Sequence, residues 1–238
     1  MTALAEPDVL PLLEGCELEI LGLLPRSSND TYLARAAGGD DVLVVYKPRT
    51  GEAPLWDFPA GTLCLREVAA YLVSQALGWP KVPPTVLRDG PEGLGSAQLF
   101  VPFDAGEHYF TLAQRRPDEF RVVAAFDAVV NNADRKAGHC LVAETGELFV
   151  VDHGVCFHQA SKLRTVIWEF AGRPLDEHVA EGMRRLLSAL AGSRLRASLA
   201  RLLSSAEIAA IEGRTERLLR GGTYPRPGPG RPYPWPVV

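Results

Sequence analysis

The chain has 238 residues, 47% of them hydrophobic and 23% charged, with a formal net charge of −4. This length fits one two-lobed domain or two small ones with a substantial core, and the acidic balance excludes a global attraction to nucleic acid or anionic membrane. The cysteines, Cys16, Cys64, Cys140 and Cys156, form no Cys-x-x-Cys pair, which argues against a zinc site and for free thiols in a reducing, cytoplasmic setting.

Residues 1–15 read as a short helix or an irregular lead-in. They lack the basic region and long apolar stretch of a signal peptide, and no apolar run reaches the ~20 residues of a membrane helix. From Cys16 the pattern is strand-like: Leu18 and Ile20 alternate with Glu17 and Glu19, and Leu21-Gly22-Leu23-Leu24 blurs the alternation. A polar turn over Pro25–Asp30 leads to a return strand, Thr31–Ala36. A second turn, Gly38–Asp41, leads to the β-branched strand Val42–Tyr46, which ends in Lys47-Pro48. Residues 48–61 carry three prolines and form a loop. Leu63–Leu77 is a helix with Leu65, Val68, Ala69, Leu72 and Ala76 on one face, closed by Gly78. Val82–Leu87 and Ser96–Phe103 read as two more strands, the first an edge strand because of Pro83 and Pro84. A five-stranded sheet with one helix follows from this order.

From Ala105 the character changes. Residues 117–130 form a helix whose centre is apolar nearly all round, the mark of a buried element. The polar stretch Asn131–His139 follows, then a hairpin of His139–Val142 and Glu147–Val151 around Glu144-Thr145-Gly146. Residues 155–175 show little periodicity. Helices are expected at Glu177–Leu190 and Ala206–Arg220, and a Pro-rich tail, 223–238, should be extended or disordered.

Several polar residues sit where chemistry could use them. Lys47, at a strand end, can neutralise phosphate as a point cation, and Glu67 on the next helix can pair with it. Ser27, Ser28, Asn29 and Thr31 occupy the first hairpin turn, where hydroxyls and backbone N–H groups can cradle phosphate or simply face water. Asp134, in a loop after a buried helix, can accept a hydroxyl proton or orient the hydroxyl. His139 lies five residues on, where kinase-type loops place a second metal ligand. Asp152, between an apolar strand and His153-Gly154, can chelate Mg²⁺. Asn131 and Asn132 could bind phosphate, metal or a loop carbonyl. Asp127 reads as a structural acceptor for the loop, and Arg135 and Lys136 as facing either substrate phosphate or solvent. Trp56-Asp57-Phe58-Pro59 is an odd group for a loop.

With these motifs the chain resembles the atypical kinases of the phosphatidylinositol 3-/4-kinase-like group, which are related to HipA-type bacterial Ser/Thr kinases, and is most similar to a short bacterial branch. Asp134-Arg135-Lys136-Ala137-Gly138-His139 stands in place of the D-R-H-x-x-N catalytic loop, and Asp152-His153-Gly154 in place of the metal-binding D-F-G. Lys47 and Glu67 take the places of the strand Lys and helix Glu, and Leu99–Phe103 that of the hinge, with backbone groups of Phe100 and Val101 for adenine. The resemblance covers roughly residues 16–220. It implies an α+β, two-lobed protein-kinase-like fold: an N-lobe of antiparallel sheet plus one helix over 16–103, and a mainly helical C-lobe over 104–222. It also implies ATP- and Mg²⁺- (or Mn²⁺-) dependent transfer of a γ-phosphoryl group to a hydroxyl of a protein or small polyol-like acceptor. Asp134 and Lys47 are then catalytic, and Asp152 and His139 hold metal. Ser27, Ser28, Asn29, Lys47, Glu67, Phe100 and Val101 bind nucleotide. Two departures stand out: His139 replaces an Asn, and imidazole favours softer metals than Mg²⁺; Lys136 replaces a His. They keep open a nucleotide-binding pseudokinase or an AMP-transferring enzyme on the same fold.

Overall fold

Strand β1 (Leu18–Leu23) begins with the expected alternation and loses it at a β-bulge between Ile20 and Gly22. The extra residue rotates the strand, so Leu21 and Leu23 face solvent. A computed structural model describes residues 6–25, 27–37 and 42–238, with backbone only for 6–8. The turn expected at Gly38–Asp41, and Arg26 of the first turn, lie outside the described residues. The lead-in is helix α1 (Glu6–Gly15), whose Val9 and Leu13 are buried against the sheet.

Strands β2 (Tyr32–Ala36), β3 (Leu43–Pro48), β4 (Thr85–Gly90) and β5 (Gly93–Leu99) complete an antiparallel sheet of order β1-β2-β3-β5-β4. Helix α2 (Leu63–Leu77) lies between β3 and β4 in the chain and ends on Gly78 in the left-handed region. β4 is the expected edge strand, but both members of its hairpin are shifted. The glycines at 90 and 93 pair with each other, and β5 stops at Leu99 rather than Phe103. The apolar run Leu99–Phe103 is therefore mostly linker between the lobes. Gly95 is required by packing: a Cβ there would lie 2.5 Å from the Lys47 carbonyl. Along β3 the period of two puts Val44 and Tyr46 into the core beneath α1 and leaves Lys47 on the opposite face.

The second lobe opens with a single-turn helix α3 (Tyr109–Leu112), unanticipated from the sequence, and α4 (Pro117–Val130). Helix α4 has Pro at its first position and Asp118 and Glu119 in its first turn, both favourable at the positive end of the helix dipole. Asn131 closes it at φ 54°. A two-stranded ribbon, β6 (Cys140–Val142) and β7 (Leu148–Val150), follows, then irregular chain to α5 (Glu177–Ala191), α6 (Ser193–Ala200) and α7 (Ser205–Gly221). α6 is not among the expected helices; it starts directly after Gly192 with no loop to announce it.

The tail is extended and anchored. The Pro232 carbonyl accepts from the Thr165 N–H (3.0 Å) and Trp168 Nε1 (3.2 Å), and the Val237 carbonyl from the Ala137 N–H (2.8 Å). No described helix is long and apolar enough to cross a membrane.

Candidate functional site

Three elements converge on one ammonium group. Lys47, projecting from β3, places Nζ 2.5 Å from Glu67 Oε1 on α2 and 2.9 Å from Asp152 Oδ1 just after β7. The second Glu67 oxygen accepts the backbone N–H of His153 at 2.9 Å, so the helix carboxylate fixes both the cation and the turn that carries Asp152. Burial works to lower the Lys47 ammonium, but Asp152 and Glu67 together hold it above its ordinary value. Burial likewise opposes the charge on Asp152, and Lys47 overrides it, holding the carboxyl well below the usual range. Asp152 adopts φ 62°, a conformation disfavoured for a residue with a Cβ. Its side chain remains 45% exposed. This charged, strained, half-open carboxylate is the kind of group that faces a ligand.

His139 lies on the other side of Asp152, with Nε2 3.2 Å from Oδ2. The Lys136 N–H reaches Nδ1 at 3.4 Å, which leaves the ring proton on Nε2 to donate to Asp152. Burial pushes the imidazole down to about 4 and Asp152 only partly offsets this, so the ring is neutral at pH 7. Asp134 is partly buried, and burial raises its carboxyl above the ordinary value against the pull of Lys136, whose Nζ lies 3.0 Å away. Lys136 is thus a member of the site that the sequence left between substrate and solvent.

Beneath the loop lies a buried polar lattice. Asp127 and Arg135 are both fully buried. Asp127 accepts from Asn132 Nδ2 (3.0 Å), Arg135 Nε (3.0 Å) and the Thr165 hydroxyl (3.2 Å). Arg135 donates onward to the Val151 carbonyl (2.9 Å) and to His153 Nε2 (2.7 Å). Asn132 Oδ1 in turn accepts the Asp134 N–H at 2.9 Å. One guanidinium therefore joins the two acidic turns. Asn131 holds loop carbonyls: its amide donates to His158 and Ala160 (2.8 and 2.7 Å) and accepts from the Lys162 N–H (2.9 Å).

The remaining candidates lie further out. Ser27 and Ser28 are exposed in the β1–β2 turn, where Ser27 Oγ pairs with Thr31 Oγ1 at 2.8 Å. The Asn29 side chain is engaged by the Ala53 N–H at 2.8 Å. The Phe100 N–H already bonds the Leu43 carbonyl at 2.9 Å, so an adenine contact at this residue falls to its carbonyl. Among the described residues no cluster of three or more His, Cys, Asp or Glu side chains stands ready to hold a metal. A single half-exposed hard carboxylate suits Mg²⁺ or Mn²⁺ of the kind that takes its other ligands from water and phosphate.

No family model matches the chain. Its fold is that of protein kinases. It superposes on Helicobacter pylori proinflammatory kinase CtkA (TM-score 0.54, 12% identity, 89% of this chain and 94% of that one). It also superposes on a Golgi casein kinase with Mn/ADP bound (0.55, 14%, 91% and 75%) and on hydra Fam20 with sugar (0.57, 13%, 90% and 86%). The expected α+β class, with antiparallel sheet first and helices after, is that of these neighbours. In sequence it is 29% identical to phosphatidylinositol 4-kinase gamma 4 of Oryza sativa subsp. japonica over 62% of its length, spanning only 33% of that protein. With 41% identity to Protein Rv2133c of Mycobacterium tuberculosis, over 95% of this chain and 94% of that protein, the chain belongs to the family of Protein Rv2133c.

Proposed function

We propose that this chain is an ATP- and divalent-metal-dependent phosphotransferase that moves the γ-phosphoryl group to a hydroxyl. The observation that carries the reading is Lys47, held at once by Glu67 and Asp152 from elements 20 and 105 residues away. The kinase-like fold and the likeness to a plant phosphatidylinositol 4-kinase support it. In this reading the lobes are 16–103 and 104–222, flanked by the 1–15 lead-in and the 223–238 tail, within the HipA-related atypical kinases and in a cytoplasmic setting.

Lys47 neutralises phosphate charge and Glu67 fixes its direction. Ser27, Ser28 and Asn29 cover the phosphates, and Phe100 and Val101 receive adenine through their backbone. Asp152, with His139 as second ligand, would hold a divalent cation, which would supply positive charge against that developing on the transferred phosphoryl group. For His139 to ligate through Nε2, its proton must first leave that nitrogen. Asp134 takes the acceptor's hydroxyl proton, and its raised carboxyl makes it a better base than a solvated Asp. Lys136 steadies that carboxylate. Catalysis is then mainly positioning and charge stabilisation.

Asp152→Ala should abolish metal-dependent nucleotide turnover, and Asp134→Ala should slow it by roughly 10²–10⁴-fold with ATP binding retained. Unchanged turnover in both variants refutes the assignment. A second reading, a nucleotide-binding pseudokinase, is favoured by His139 alone, whose Nε2 proton faces Asp152. ATP-dependent thermal stabilisation without radiolabel transfer would select it.

A further inference from the structure

Loop 49–61 folds around a cavity of about 130 Å³ between β3 and α2. Arg49 and Glu52 are its charged lining, and Leu55, Phe58 and Leu63 are among its apolar walls. Glu52 Oε1 accepts the Cys64 N–H at 3.0 Å, but Oε2 is buried with no partner. A carboxylate oxygen withdrawn from water without a donor is costly, so its pairing must come from elsewhere. Among the described residues Arg49 has no carboxylate partner either. Trp56 stands 91% exposed over the loop. Lys162 lies 5.0 Å from its ring centre and pairs with Asp57 at 2.8 Å, clasping the loop to the second lobe.

The cavity shares its inner wall with the site above. Phe58 and Leu63 pack with Ala133, next to Asp134, and with Val155, next to Gly154. A Cβ at Gly154 would lie 3.4 Å from Leu63 Cβ. Arg49, without a carboxylate partner among the described residues, and Glu52, with one buried oxygen unsatisfied, are opposite charges lining one small cavity beside the Asp134–Asp152 cluster, a pattern that suits a ligand carrying both charges.

We propose that this cavity is the acceptor subsite and that the acceptor is a small zwitterionic alcohol of the hydroxy-amino-acid type. The inference rests on the phosphotransferase reading. Arg49 pairs with the ligand's carboxylate and Glu52 Oε2 accepts from its ammonium group, with Phe58 and Leu63 against its apolar part. At about 130 Å³ the cavity has room for a compact molecule. In the reaction the ligand's hydroxyl oxygen bonds to the γ-phosphorus. The bond from that phosphorus to the β–γ bridging oxygen breaks, ADP leaves with the electron pair, and the hydroxyl proton passes to Asp134.

The test uses the full chain, with L-serine and L-homoserine as probes in calorimetric titrations, ATP titrated separately, and mass spectrometry of the amino acid after incubation with ATP. Expected are saturable binding of at least one probe, at least about tenfold weaker in Arg49→Gln and Glu52→Gln, unchanged ATP affinity, and a phosphorylated amino acid. Arg49 is exposed, so Arg49→Gln remains informative if Glu52→Gln fails to fold. Absence of binding by both probes, equal affinity in Arg49→Gln, or binding without a phosphorylated product overturns the acceptor assignment. Failure of the wild-type chain to bind ATP overturns the phosphotransferase reading instead.

Discussion

Replacing Asp127 by Ala should be among the most damaging single changes in this chain. Asp127 and Arg135 are both 0% exposed, and the carboxylate is the guanidinium's only ionic partner among the described residues. The substitution also strands donors on Asn132 and Thr165. Leaving an uncompensated buried charge costs ~3–5 kcal/mol. For a chain of this size that corresponds to a fall in Tm of roughly 6–20 °C, at about 2–4 °C per kcal/mol. Urea unfolding followed by circular dichroism measures it as a lower midpoint at unchanged slope. The double variant Asp127→Leu with Arg135→Met removes both charges and should recover a substantial part of the loss, giving a large coupling in a double-mutant cycle. A single-variant cost below about 1 kcal/mol, the range of exposed pairs, or a double variant equal to the sum of the singles, would refute the claim that this pair acts as one buried unit.

Lys47→Met leaves Glu67 and Asp152 without their shared cation and should cut transfer by at least ~10²-fold; radiolabel transfer at saturating ATP measures it, and near-normal turnover counts against the Lys47-centred site. Acid should destabilise the fold between pH 6.5 and about 4. His139 is held down to about 4 and His153 well below its ordinary value, so the unfolded chain binds more protons there and stability falls as pH falls. His139→Asn should flatten that part of the stability profile, and an NMR titration midpoint of His139 near 6.5 would contradict it. Removing residues 232–238 strips the acceptors of Ala137, Thr165 and Trp168. Hydrogen exchange at Ala137 and Thr165 should then accelerate by about 5- to 150-fold, given ~1–3 kcal/mol for each stranded buried donor; unchanged exchange would show that the tail does not hold this loop.

Where local periodicity governed the outcome, the sequence could be read. The alternation along β3 sets the face of Lys47, and the all-round apolar character of α4 predicts its burial and the loop at its end. Asp152 alone, as a loop acid, reads first as a cap or a solvated group; its place after an apolar strand, 18 residues beyond Asp134, is what singles it out, and the structure brings it to Lys47 and His139. Arg135 could not be placed. A cation in a polar loop reads as solvated, and only the tertiary meeting of Asp127, His153 and the Val151 carbonyl makes burial tolerable. The Leu99–Phe103 run misled because an apolar linker crossing between two lobes has the composition of a strand. The prolines of the tail excluded helix, but they do not reveal that its carbonyls accept hydrogen bonds from Ala137 and Thr165 beside the Asp134 loop.

Arg66 sits beside Glu67 on α2, only 1% exposed, and its guanidinium reaches the Cys156 carbonyl and Glu207 of α7, each at 2.6 Å. The helix that presents Glu67 is therefore fastened to the far lobe. Swinging it outward would break both of these charge-assisted hydrogen bonds, together about 3–6 kcal/mol, which keeps the displaced state below about one molecule in a hundred at 1.4 kcal/mol per factor of ten. An inhibitor acting by helix displacement would have to bind the displaced form more tightly by at least that margin. As a two-position element α2 is biased to one setting, with Glu67 held beside Lys47.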